Sequence, residues 1–167
     1  MSEPILIDPL AFAREGLTLS GDVAVATLDG RVLEALADTN GTLRYALSGS
    51  VDKLRRHHLT LSVDGEVTVT CQRCLVPMVQ VLQLSSAITL FSDEEKLAEA
   101  VEADEELDAI MAEPELDVMA LIEDEIIMGL PVSPKHEACG QDVLDSVKVE
   151  KPNPFAVLAT LKKNQAR

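Results

Sequence analysis

Leu59-Thr60-Leu61-Ser62-Val63-Asp64-Gly65-Glu66-Val67-Thr68-Val69-Thr70-Cys71 is the stretch on which the fold turns. Apolar and polar residues alternate on both sides of Asp64-Gly65, the period of a half-buried strand. An Asp-Gly pair between two such runs predicts a tight hairpin, because its turn needs positive φ at both central positions. Upstream, Leu43, Tyr45 and Leu47 alternate in the same way. Downstream, Val79 to Phe91 reads as a further strand, pairing after the connection from Cys71 to Pro77. The expectation is an α+β domain with an antiparallel sheet of at least four strands that could curl into a barrel.

Helices flank this β region. Asp8 followed by Pro9, with Gly16 beyond Glu15, has the cap, first-turn proline and terminal glycine of a short helix. Leu28, Val32, Leu33 and Leu36 recur at helical spacing and predict a second helix over 28–36. The best-defined helix spans 116–130. Asp117 can cap it, Leu116 and Leu121 have the spacing of a hydrophobic staple, Met119, Ile122 and Ile126 form an apolar seam, and Gly129 and Pro131 stop it.

A chain of 167 residues has room for one domain with a real core. Apolar residues make up 47% of it and aromatics only 2%, so Leu, Val, Ile and Ala must fill the interior. No apolar run approaches the length that spans a bilayer, and Met1-Ser2-Glu3-Pro4 has neither the basic start nor the apolar stretch of a secretory signal. Those features, with three cysteines, an odd number, point to the cytoplasm and to reduced thiols or metal ligands.

The net charge of −15 is concentrated: between Asp93 and Glu125 fifteen acidic residues face the single Lys96, a balance of −14. The segment 93–115 reads as an acidic, loosely helical loop, either a solvated surface or a docking surface for a basic partner. An anionic strip speeds association with a cationic protein and repels nucleic-acid phosphates. Within the helix over 116–130, Glu123, Asp124 and Glu125 lie opposite the apolar seam with no basic residue within one turn, so they read as a solvated face and a candidate partner-binding surface.

The cysteines fall into two pairs, Cys71-Gln72-Arg73-Cys74 and His136-Glu137-Ala138-Cys139, each with two residues between partners. Cys71, Cys74, His136 and Cys139 together could hold a structural zinc, because thiolates with an imidazole are zinc's preferred ligands. The gap over 75–135 means that only the fold can bring the two halves together. The competing reading makes Cys71 a core residue continuing the Val67 and Val69 face, and Cys74 a loop thiol. A redox dithiol would expect its pair at a helix N-terminus, and no helix is expected after Cys74.

No Walker loop, dinucleotide fingerprint, nucleophile elbow or metalloprotease helix is present, so no catalytic residue is singled out. Lys53 to His58 form one basic patch, too small and too poor in aromatics for an independent nucleic-acid footprint. A zinc- or thiol-dependent enzyme acting on RNA or protein is the rival class. The domain is expected over 1–140, with 141–167 as a tethered segment. In that segment Asn153 and Pro154 begin a short amphipathic helix whose Phe155 and Leu158 share a face, either covering the sheet or recognising a partner.

The order Cys71-Gln72-Arg73-Cys74, then the acidic segment, then Glu123-Asp124-Glu125-Ile126-Ile127 with Leu130-Pro131, then Pro152-Asn153-Pro154-Phe155-Ala156-Val157-Leu158, resembles the YceD family of bacterial large ribosomal RNA subunit accumulation proteins. The resemblance runs from Ile5 to Lys163. It implies a non-catalytic factor in accumulation or processing of 23S rRNA, with a large-subunit precursor or a basic ribosomal protein as partner. It transfers no catalytic residue. Some relatives carry further cysteines after the Leu-Pro segment; here only Cys139 is kept, and His136 would have to complete the set.

Overall fold

The computed structural model describes residues 4–140. In chain order these form β1 (Leu6–Ile7), α1 (Pro9–Glu15), β2 (Thr18–Ala24), a 3-10 turn (Val25–Thr27), α2 (Gly30–Leu33), β3 (Thr42–Val51), β4 (His57–Thr70), β5 (Pro77–Phe91), α3 (Glu94–Ala103), β6 (Ala109–Met111), β7 (Leu116–Asp117) and α4 (Val118–Gly129). Phe155, Leu158 and the helix expected around them lie outside the described residues.

The α+β class holds, but Asp64-Gly65 makes no hairpin. Both residues sit inside β4, where Asp64 pairs with Arg44 and Gln83, and Gly65 with Leu43 and Leu82. The reason is parity. Leu59, Leu61, Val63, Val67, Val69 and Cys71 are all odd-numbered, so one uninterrupted strand puts them on one face. A two-residue turn at 64–65 would have paired Val63 with Glu66 and turned Glu66 and Thr68 inward instead. Gly65 fills the inward position between, where a side chain would drive a Cβ to 2.6 Å from Leu43 Cδ2.

The true reversal is at Cys71 to Val76, closed by Cys71 N–H donating to Val76 O at 3.0 Å and Leu75 N–H to Cys71 O at 2.9 Å. Strands β2 to β5 pair antiparallel in sequence order, and β6 joins β5 in parallel through Thr89 to Phe91. The sheet is therefore mixed. Its order β2-β3-β4-β5-β6 leaves two edges unjoined, so it is open and not a barrel. A separate two-stranded pair, β1 with β7, was not foreseen in the sequence.

Helices α1 and α4 cover one face. Phe12 and Ala13 of α1, and Val118, Met119, Ile122 and Ile126 of α4, are buried with Leu43, Leu47, Leu59, Leu61, Val63 and Leu82 of the sheet. Helix α1 forms as expected: Asp8 Oδ1 accepts from Ala11 N–H, and Gly16 adopts φ 62° at its end. Its close approach to β3 requires Gly49, whose Cβ would lie 2.5 Å from Phe12 O. The helix expected over 28–36 shrinks to Gly30–Leu33. Beyond it the bonds tighten, Ala35 N–H to Val32 O and Leu36 N–H to Leu33 O, and Ala37 N–H is drawn to Thr68 O on β4 at 2.7 Å.

The acidic stretch 93–115 is more ordered than the loop expected there, since it contains α3 and β6. Asp93 caps α3 by accepting from Glu95 and Lys96 N–H, and no α3 residue is buried. Among the described residues no helix is long and apolar enough to cross a membrane.

Candidate metal centre

Two segments supply the centre. Cys71 closes β4 and is fully buried, while Cys74 lies in the reversal that follows. His136 and Cys139 come from the stretch after α4, which ends because Leu130 turns to extended backbone ahead of Pro131. Gln72 N–H donates to Pro134 O at 2.8 Å and sets the two segments side by side. Cys71 Sγ then lies 3.5 Å from Cys139 Sγ, and Cys74 Sγ lies 3.4 Å from His136 Nδ1.

All four ligand atoms fall within 4.8 Å of one another. Tetrahedral zinc, with bonds of about 2.3 Å to sulfur and about 2.0 Å to nitrogen, needs ligand atoms roughly 3.5–3.8 Å apart. The donor set fits such an ion. It also joins the two sequence pairs across the gap of 75–135, and Cys71 is a core residue and a cluster member at once.

Arg73 was not singled out in the sequence, yet it braces the centre. Its Nε donates to Cys139 Sγ at 3.2 Å and its Nη2 to His136 O at 2.6 Å. Burial raises the Cys139 thiol's pKa, but the Arg73 hydrogen bond leads the opposing effects and the net shift is downward. Burial likewise opposes ionisation of Cys71, but hydrogen bonds from the backbone of Cys74, His136 and Arg73, and from the Cys139 side chain, outweigh it and bring the pKa to about 5. At Cys74 the Val76 N–H favours the thiolate, yet burial and the neighbouring Cys71 and Cys139 prevail, and its pKa rises. Hydrogen bonds to Cys139 and then Cys71 raise that of His136. The surroundings thus favour the thiolate at Cys71 and Cys139 and disfavour it at Cys74, with an imidazole beside them. An open apolar depression of about 500 Å³ over Cys74, Val76, His136, Ala138 and Cys139 lies above it.

The acidic triplet is divided by the fold. Glu123 is only 6% exposed. Its Oε1 accepts from Asp29 N–H at 2.8 Å, and its Oε2 lies 3.7 Å from Arg31 Nη2. The same guanidinium donates to Asp124 Oδ1 at 3.1 Å. The cation absent within one turn of α4 is supplied by α2, so Glu123 is no part of a solvated face, whereas Asp124 stays exposed and Glu125 half-buried.

The basic patch is partly neutralised. Asp52 Oδ1 accepts from Leu54 and Arg56 N–H, and Oδ2 from Arg56 Nε at 2.8 Å and His58 Nε2 at 3.2 Å. His58 Nδ1 faces Thr89 Oγ1 at 3.1 Å, completing an Asp-His-Thr row. Thr89 is 2% exposed and closed to substrate, so the row braces the β3–β4 turn.

The sequence model of the YceD family, described as "Large ribosomal RNA subunit accumulation protein YceD", matches residues 59–162. The chain belongs to the YceD family. A curated YceD protein, the large ribosomal RNA subunit accumulation protein of Haemophilus influenzae, is 30% identical over 168 residues, covering 95% of this chain and 95% of the relative. No solved structure matches the chain significantly. The YceD match takes in β4 from Leu59 onward, the Cys71 to Val76 reversal, the acidic segment, α4 and all four residues of the metal centre.

Proposed function

We propose that this YceD-family chain is a non-catalytic factor that promotes accumulation of 23S rRNA during large-subunit assembly in the cytoplasm. It would act by binding a basic ribosomal protein or an assembly intermediate that carries one. The observation that carries this reading is the family match over residues 59–162, which includes the acidic segment with its balance of −14, from 15 acids and one lysine over 93–125. The exposed acids of α3 give that charge a fixed support for electrostatic capture of a cationic protein. Asp124 and Glu125 extend the surface, and Phe155 and Leu158 are assigned to the same partner.

The metal centre serves this reading as a structural zinc site. Cys71, Cys74, His136 and Cys139 would occupy all four tetrahedral positions, whereas catalytic zinc keeps one open. When bound, zinc would cross-link the β4–β5 reversal to the segment that leaves α4. The closed ligand set therefore speaks against the rival zinc or thiol enzyme.

Depletion of the protein in its own cell tests the function. Accumulation of 23S rRNA precursors, or a selective fall in mature large subunits on a gradient, is the expected result. Normal precursors together with a normal subunit profile would overturn it.

A further inference from the structure

Strand β5 runs from Pro77 to Phe91, but β6 covers only Thr89, Leu90 and Phe91. From Pro77 to Ile88 no other described strand lies against its outer edge. The register identifies which groups are left there. β4 and β5 pair without a bulge from His57 with Leu90 to Thr70 with Pro77, and even-numbered Val76 turns its carbonyl toward β4. Odd-numbered Thr89 and Phe91 turn theirs the other way, with Thr89 N–H donating to Asp108 O and Phe91 O accepting from Ala112 N–H. The N–H and C=O groups of Val79, Val81, Gln83, Ser85 and Ala87 therefore point at the open edge. Among the described residues only one of these carbonyls has a side-chain partner, Val81 O, which accepts from Gln80 Nε2 at 3.0 Å.

Sheet proteins guard such edges with charges, bulges or interior prolines. Nothing of the kind is present. No charged residue occurs over 74–92, in a chain that is 26% charged. There is no bulge, and the strand's single proline is at its first residue. Val79 and Val81 are 60% and 54% exposed on the outer face. Among the described residues, the edge is left open to a further strand.

Its surroundings select the kind. Exposed Glu66 and Asp64 lie beside Val81 and Gln83 on β4, and the exposed Asp104, Glu105 and Glu106 stand at the end where β6 begins. Lysine or arginine stems laid over Val79 and Val81 would bring their charges toward those carboxylates. Pairing with a second copy would set two such acidic rims, and two chains of net charge −15, against each other.

We propose that the open edge of β5 takes up, by β-strand addition, an extended lysine- or arginine-rich segment of the basic protein partner. This deepens the function proposed above and rests on it. Backbone pairing supplies affinity, and the acidic rim supplies selection.

Residue-resolved amide exchange on the full chain tests it, with a short peptide alternating lysine and valine as probe and its glutamate twin as control. In the free chain, Val79, Val81, Gln83, Ser85 and Ala87 should exchange quickly while the even-numbered residues between them are protected. The lysine peptide should slow that odd set at least about tenfold, and the glutamate twin should not. Val81→Lys should weaken binding about tenfold, while Val81→Thr, which keeps a β-branched side chain at this exposed position, should leave it within about threefold. Protection of the odd set in the free monomer would overturn the proposal, because the chain's own residues would already hold the edge. Protection that vanishes on dilution would overturn it in favour of self-association. Protection confined to 93–108 would overturn the edge while leaving a basic partner standing, and no response anywhere would count against both.

Discussion

Gln72 N–H donates to Pro134 O at 2.8 Å, and through that bond two segments more than sixty residues apart bring three thiols and an imidazole to one point. The bond is backbone to backbone, so it depends on where the chain runs and not on which side chains occupy positions 72 and 134.

The first prediction concerns metal content. Purified protein should hold one zinc per chain, and Cys71→Ser or Cys139→Ser should abolish it. Chelation should lower the melting temperature by about 5–10 °C. Arg73→Gln, which removes the donor to Cys139 Sγ, should weaken metal affinity about 10–100-fold without changing stoichiometry. Equal affinity in a metal-competition titration would remove Arg73 from this role.

Glu123 and Asp124 should behave as opposites despite being neighbours. Glu123→Ala leaves the Asp29 N–H without its acceptor and should cost about 2 kcal/mol in urea unfolding. Asp124→Ala removes an exposed ion pair with Arg31 and should cost under about 0.5 kcal/mol. Equal costs would mean that the buried bond to α2 does not anchor α4.

A third test uses glycine. Gly49→Ala places its Cβ 2.5–2.8 Å from Phe12 and Ala13 backbone atoms, and should cost about 2–3 kcal/mol. Gly30→Ala meets nothing within 4 Å at the start of α2 and should be neutral or stabilising by about 0.5 kcal/mol. Thermal melts of the two variants should separate clearly; coincident melts would contradict the close crossing of α1 over β3.

Asp52 predicts a pH dependence. Burial opposes its ionisation, but hydrogen bonds from Arg56, His58 and Leu54 win and hold its carboxyl well below the ordinary 3.8. A depressed folded pKa stabilises above the unfolded value and loses that stabilisation as pH falls through the folded one. The stability gap between the native chain and Asp52→Asn should therefore be constant near neutrality and begin to narrow below about pH 4. A gap independent of pH down to 2.5 would sink the argument.

Charge capture makes the fifth prediction. Replacing Glu94, Glu95, Glu99 and Glu102 by Gln keeps the Asp93 cap of α3 and removes four exposed charges. The association rate with basic large-subunit ribosomal proteins should fall about tenfold at low salt and lose most of its salt dependence. Unchanged stopped-flow rates would mean that the acids serve solubility alone.

Alternation, capping and spacing carry local information, and much of this chain could be read from them. Asp8, Pro9 and Gly16 bound α1, Asp117 caps α4, and Met119, Ile122 and Ile126 are buried on the face their spacing required. Asp64-Gly65 misled as a turn although the odd-number parity across it already implied one continuous strand. There the turn propensity of two residues yields to burial of the alternating face along the whole of β4. The paired spacing of Cys71 with Cys74 and His136 with Cys139 was legible as two half-sites, and the YceD relationship was legible in the motifs.

Tertiary structure alone decided the rest, because each remaining feature depends on residues far apart in the chain. It joined the half-sites through Gln72 and Pro134, and it recruited Arg31 from α2 to Glu123, ninety-two positions away, which no helical spacing could reveal. It added β6 in parallel and, among the described residues, left the outer edge of β5 without a partner strand from Pro77 to Ile88, so a strand that reads as ordinary in sequence becomes an open edge. A sequence encodes which way each side chain faces; which backbone groups find partners is settled only when every strand has taken its neighbour.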